Sequence, residues 1–155
     1  MIRAVRNFSH IPVYPRTLFV IDLDDTTWKY SVPFVPGRLV EWKEHVYRFE
    51  PELTDPVHFP RFLERIRFEK SCHILFLTAR DADMSQLTHQ QLERFVHIPH
   101  NVAFTSGQAK GPVLRHLWKT HFSMCDHVVF VDDLIENIES VQRSVPEADV
   151  FLYLN

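Results

Sequence analysis

The chain has 155 residues, 45% apolar and 24% charged, the balance of a globular protein able to build one domain with a full core. A formal net charge of −3 argues against a general nucleic-acid coat, although a local basic groove stays open. No stretch approaches the roughly 18 apolar residues of a membrane span, so no membrane association is expected.

Residues 1–16 carry Arg3, Arg6 and Arg16, no acid and no long apolar run, so no signal peptide is expected there. The expected form is a mobile or draped arm, with a basic arm touching a partner chain or an anionic substrate as the alternative. Thr17 to Thr27 reads TLFVIDLDDTT. Leu18, Phe19, Val20 and Ile21 are β-branched, aliphatic or aromatic, which predicts a strand buried on both faces. The strand runs out into Asp22, Asp24 and Asp25. Carboxylates this close repel one another and add nothing to a core. Turn or cap duty accounts for one or two of them. All three together indicate a missing cation, and hard oxygen ligands suit magnesium.

Trp28, Tyr30, Val32 and Phe34 alternate with Lys29, Ser31 and Pro33, predicting an extended flap that Pro33 and Pro36 confine to an edge. Leu39, Trp42, Val46 and Phe49 recur at helical spacing, a helix opened by Pro36-Gly37 and broken by Pro51 and Pro56. Phe59, Phe62, Leu63 and Ile66 mark a second helix, with Pro60 in its first turn. His73 to Leu77 is a second buried strand. Asp81 or Asp83 is the expected cap of the helix carried by Met84, Leu87, Gln91, Leu92 and Phe95. Asn101 to Thr105 is a third strand, and Ser106-Gly107 turns the chain toward a helix that begins at Lys110. A cation is unfavourable at a helix start, so Lys110 is expected to act elsewhere. His127 to Val131 is a fourth strand, ending in the pair Asp132 and Asp133. Ile135, Ile138, Val141 and Val145 stripe the next helix, and Asp149 to Leu154 closes the sheet.

Cys72 and Cys125 read as small buried thiols. A C-x5-R phosphate loop starting at Cys72 needs Arg at position 78, which is Thr. A thiol phosphatase is therefore not expected. Two cysteines imply no disulfide framework, so a reducing compartment and a cytoplasmic location are expected.

Strands alternating with helices specify an α/β, three-layer, Rossmann-like fold with a mostly parallel sheet. Ligands in such folds bind at the carboxyl ends of the strands. Asp22, Asp24, Thr78, Asp132 and Asp133 all fall there.

Asp22-Leu-Asp24-Asp-Thr26 resembles the first motif, DxDxT, of the haloacid dehalogenase superfamily. Phe76-Leu-Thr78-Ala-Arg80 is similar to its second motif, Lys110 to its third, and Val129-Phe-Val-Asp132-Asp133 followed by Asn137 to its fourth. The four stand in family order and span the chain from Thr17 to about Val141. The resemblance implies one hydrolase domain over 1–155, a five-stranded sheet ordered 3-2-1-4-5, and no large cap domain.

It also implies a chemistry. Asp22 would attack phosphorus to give an aspartyl-phosphate. Asp24 would protonate the leaving oxygen and then deprotonate the attacking water. Thr78 would donate its hydroxyl to the phosphoryl oxygens, and Lys110 would steady Asp22 and the phosphoryl charge. Magnesium would be held by Asp22, the backbone carbonyl of Asp24 and the fourth-motif acids. Asp132 is expected as the direct ligand, with Asp133 acting through water or Lys110. Thr26 is expected to fix the loop. Asp25 reads as a turn residue, and Asn137 either orients the acid pair or is solvated. Arg80 reaches a substrate group or, the favoured reading, pairs with Asp81 or Asp83.

The two slots that hold cap modules in this superfamily, Trp28 to Cys72 and Ala79 to His100, are short here, which implies an open site. The expected activity is magnesium-dependent hydrolysis of phosphate monoesters. The alternatives are a non-catalytic phosphate-site module that regulates a partner, and phosphoryl transfer to an acceptor other than water. Expected partners are a phosphorylated substrate, small or macromolecular, and no membrane, with a homodimer as an open possibility. Trp28, Tyr30 and Phe34 either pack on the domain or stack on a substrate ring.

Overall fold

The computed structural model describes residues 2–32 and 39–155. The central sheet contains β1 (Ile2–Val5), β2 (Thr17–Ile21), β5 (His73–Thr78), β6 (Asn101–Phe104), β7 (His127–Asp132) and β8 (Asp149–Tyr153). Their spatial order is β1-β8-β7-β2-β5-β6, and every neighbouring pair is parallel. A short antiparallel ribbon pairs β3 (Trp28–Tyr30) with β4 (Pro51–Leu53). The helices are α1 (Leu39–Arg48), α2 (His58–Phe68), α3 (Ser85–Phe95), α4 (Lys110–His121) and α5 (Ile135–Ser144).

β2 explains the layering. All five of its residues are buried. In a strand successive side chains point to opposite faces. Phe19 and Ile21 enter one core with Phe59, Phe62, Ile66 and Leu92, from α2 and α3. Leu18 and Val20 enter the other with Leu114, Ile138 and Val141, from α4 and α5. Helices therefore cover both faces, the three-layer arrangement expected of a buried parallel sheet. The aromatics concentrate on one side: Phe8, Phe59 and Phe62 pack together, with Phe8 edge-on to Phe59 at 4.9 Å between centroids.

The sheet has six strands rather than five, because the N-terminal arm is built into the fold. Ile2 to Val5 pairs with Val150 to Tyr153, and Val5, Phe8 and Ile11 are buried. Arg65 donates to the carbonyls of Phe8 and Ile11, both at 3.2 Å. Buried Asp55 accepts from the Phe8 amide and from the His58 amide, each at 2.9 Å. The arm is neither draped nor free.

Other expectations are met in part. The flap exists as β3, but its partner is Pro51–Leu53, a segment read from sequence only as a helix break. Phe34, Pro33 and Pro36-Gly37 lie outside the described residues. Neither Asp81 nor Asp83 caps α3: the preceding 3-10 turn and α3 both begin without a side-chain cap. Lys43 on α1 claims both acids, at 2.5 and 3.5 Å. No large cap covers the sheet among the described residues, and no helix among them is long and apolar enough to cross a membrane. Burial raises the thiol of Cys72 and pushes that of Cys125 up to about 11, so neither is an activated nucleophile.

Asp55→Ala tests the pinning of the arm. It strands the buried Phe8 amide without an acceptor, at a cost of about 1–3 kcal/mol. Thermal unfolding should drop by roughly 2–12 °C for a chain of this size. An unchanged melting temperature would mean that the aromatic packing holds the arm alone.

Candidate active site

The carboxyl ends of β2, β5 and β7 meet at one place. Ile21 is in register with Val131 and with Phe76, and the Asp22 amide donates to the Val131 carbonyl at 3.0 Å. Asp22 therefore leaves β2 directly beside the end of β7. Ligand oxygens of Asp22, Asp132 and Asp133 lie within 4.8 Å of one another.

Lys110 holds this cluster together. Its ammonium donates to Asp22 Oδ1 at 2.6 Å and to Asp132 Oδ2 at 2.7 Å. The residue is 1% exposed. Burial alone would lower its proton affinity, but the two carboxylates more than offset this and hold the ammonium charged. Burial pushes the Asp22 carboxyl well above the usual carboxylate range. Lys110 opposes that rise, and Asp132 and Asp133 add to it. Asp133 is raised chiefly by burial as well. One ammonium among these acids leaves the site short of positive charge.

Local structure explains how a lysine reaches this position. Gly111 presses on α5: a Cβ there would lie 2.1 Å from the Ser140 carbonyl oxygen. The Gly111 amide donates to Ser140 Oγ at 2.9 Å, which ties the start of α4 to α5. At the other end of the site the β2 exit is locked by its threonines. Thr26 Oγ1 lies 3.0 Å from both Asp22 Oδ2 and Asp133 Oδ1, and Thr27 Oγ1 donates to the Asp22 carbonyl at 2.7 Å. The amides of Thr26, Thr27 and Trp28 all converge on the Leu23 carbonyl. Asp25 makes the turn possible with φ of 67°, a left-handed conformation that Asp tolerates.

The two fourth-motif acids sit in different surroundings. Asp132 is fully buried and accepts from Lys110, the Leu134 amide at 3.0 Å and Asn137 Nδ2 at 3.1 Å. Asn137 thus bonds to Asp132 from the edge of the cleft. Asp133 is half-buried, shares the Thr26 hydroxyl with Asp22, and lines the cleft. Asp132 thus accepts more hydrogen bonds from the protein than Asp133 does.

Asp24 stands apart from this cluster. Its carboxylate receives Arg80 through both oxygens, at 2.9 and 3.0 Å, and Trp28 Nε1 at 3.1 Å. Arg80 therefore pairs with neither Asp81 nor Asp83, and its guanidinium lies over the Trp28 ring at 5.4 Å. Trp28 is fully buried and is not available to a substrate. Thr78 is buried and its hydroxyl accepts from the Arg80 amide at 3.2 Å.

Asp22, Asp24, Thr78, Arg80, Lys110 and Asp133 line a cleft of about 390 Å³, together with Trp42, Gly107, Leu134 and Asn137. The structure thus brings Asp22, Asp24, Thr78, Lys110 and Asp133 to one cavity, with Asp132 behind them. Sequence reasoning missed Trp42 and Leu134 as lining residues; neither carries a motif. The donor set fits a hard divalent cation, because oxygens from three acids converge and one ammonium does not balance them.

A family model described as "Protein of unknown function (DUF2608)" matches residues 85–154, less than half of the chain. No curated protein matches it. A chain in a solved structure of the Pnkp1/Rnl/Hen1 complex is similar over 97% of this chain and 51% of its own, with a TM-score of 0.59 at 12% identity. A chain in a structure of the Pnkp1/Rnl/Hen1 RNA repair complex is similar over 88% and 43%, with a TM-score of 0.56 at 12% identity. This chain spans about half the length of those chains. At such identity the likeness is one of fold.

Gly111→Ala tests the seat of Lys110. The added methyl meets backbone, so α4 and α5 must part, at a cost of about 1–3 kcal/mol or more. Denaturant midpoints should fall accordingly. Wild-type stability in this variant would contradict the close packing.

Proposed function

We propose that this chain is a magnesium-dependent phosphohydrolase of the haloacid dehalogenase type, cleaving phosphate monoesters through an aspartyl-phosphate on Asp22. The observation that carries this reading is the convergence of Asp22, Asp132 and Asp133 at the strand ends, with a buried lysine bonded to the first two and with Asp24 and Thr78 alongside. A structural ion pair needs one acid for one base. Here acids are in excess and face a cleft.

Asp22 and Asp133 would hold the metal through side-chain oxygens, with the Asp24 carbonyl as a further ligand. When bound, magnesium supplies the positive charge that lets an anionic carboxylate approach an anionic phosphate. Asp22 attacks phosphorus in line. The bond to the leaving oxygen breaks as that oxygen takes a proton from Asp24. Water then attacks the acyl phosphate and gives its proton to Asp24, the bond to Asp22 breaks, and inorganic phosphate leaves. Thr78 donates to the equatorial oxygens, which gather charge during transfer. Lys110 keeps Asp22 ionised and aimed between the two half-reactions, while Asp132 holds Lys110. The whole of 1–155 acts as one catalytic domain. The cleft has no large cap over it among the described residues, which favours a macromolecular phosphate ester. Because the structural neighbours come from an RNA repair complex, RNA-end phosphates are the first substrates to test.

Hydrolysis of an aryl phosphate should require a divalent cation and fall to background in Asp22→Asn. Activity that survives in excess chelator, or in that variant, removes Asp22 from its role.

Metal-linked stability separates the paired acids. A ligand at a hundredfold excess over its Kd stabilises the folded state by roughly 2.7 kcal/mol. For a chain of this length that is about 5–10 °C in melting temperature. Asp133→Ala should lose most of the magnesium shift. Asp132→Ala should keep more of it while melting lower without metal, because Lys110 has lost a partner. The reverse pattern would restore Asp132 as the direct ligand.

A further inference from the structure

We propose that Arg80 is a positioning residue that fixes the carboxylate of Asp24 for its two proton transfers, and that it does not touch the substrate phosphate. The proposal rests on the phosphohydrolase reading above. A guanidinium offers five N–H donors, and every one of them is used. Nε reaches Asp24 Oδ2 at 3.0 Å and Nη2 reaches Asp24 Oδ1 at 2.9 Å. Nη2 also donates to the Tyr30 hydroxyl at 3.2 Å, and Nη1 donates to Thr88 Oγ1 at 2.9 Å and Gln91 Oε1 at 2.7 Å. Both residues line the cleft, but the Arg80 side chain is 0% exposed, whereas that of Asp24 is 23% exposed. A saturated, covered cation has nothing left to offer a phosphate.

The acceptors are themselves anchored. Thr88 Oγ1 donates to the Met84 carbonyl at 2.8 Å, and Gln91 Nε2 donates to the Tyr30 hydroxyl at 3.1 Å. The network therefore ties β3 and α3 to one carboxylate, whose orientation follows from those elements as well as from its own turn. Bidentate pairing fixes the plane of a carboxylate, which a lysine at the same place cannot do. Burying an arginine is costly unless every donor is met. Here every donor is met, and the exposed part of Asp24 is left toward the cleft.

The test separates the half-reactions by trapping the aspartyl-phosphate in acid. An aryl phosphate with a good leaving group forms it without needing a proton, so formation reports on Asp22, whereas its hydrolysis reports on Asp24. In Arg80→Ala, KM and the rate of formation should stay within about threefold of wild type. Hydrolysis should slow by at least about tenfold, part of the 10²–10⁴-fold that general acid–base catalysis supplies. Arg80→Lys should be intermediate, and Arg80→Ala should add nothing in the Asp24→Asn background. If Arg80→Ala does not fold, Tyr30→Phe and Arg80→Lys carry the test, with a smaller slowing of hydrolysis alone. A raised KM with hydrolysis unchanged overturns the proposal, as does an equal slowing in the Asp24→Asn background. Unchanged hydrolysis in both milder variants also overturns it. If the wild type turns over substrate without any trapped label, the phosphohydrolase reading through Asp22 has failed, and this proposal with it.

Discussion

The structure depends on one buried ammonium. Lys110 lies between Asp22 and Asp132 at hydrogen-bonding distance, at the start of a helix, where the dipole disfavours a cation. Only the carboxylates make that position tenable. They in turn are tenable because the lysine is there. Three features keep the arrangement in place: the contact of Gly111 with Ser140, the Asn137 amide on Asp132, and the Thr26 hydroxyl beside Asp22. They come from the start of α4, from α5 and from the β2 exit, and the parallel sheet brings these together.

A second ion pair does separate work nearby. Arg80 and Asp24 sit apart from the Lys110 cluster and bring their own partners from β3 and α3. Charge in the cleft is thus divided into two compartments. In one, the acids outnumber the base, and the deficit suits a divalent cation. In the other, base and acid match, and the pairing sets geometry. Asp22 and Asp24, two positions apart in sequence, end up with environments as different as these.

Much of this was legible in the sequence, for physical reasons. Leu18 to Ile21 and Val128 to Val131 are apolar at every position because each face of the sheet meets its own core, and short runs rich in β-branched and aromatic residues read as buried strands. The acids at the ends of those strands have no core function, which marked the site. What escaped notice was long-range or weakly patterned. The edge strand Ile2–Val5 buries only Val5, so it lacks an apolar signature. Pro51 disguised β4. Arg80 pairs with a residue 56 positions away rather than with its acidic neighbours, because Lys43 from another helix takes those. The different surroundings of Asp132 and Asp133 come from a backbone amide and one asparagine at the start of α5, geometry that no spacing encodes.

Whether Asp22 carries the phosphoryl group is tested most directly by chemical mapping. The protein is mixed with a labelled phosphate monoester and magnesium, quenched in acid during turnover, digested, and the modified peptide sequenced by mass spectrometry. The label should sit on Asp22 as an acyl phosphate that is lost in hydroxylamine, and should be absent from Asp22→Asn. Label on any other residue, or sustained turnover with none on the protein, would contradict the assignment of Asp22 as the nucleophile.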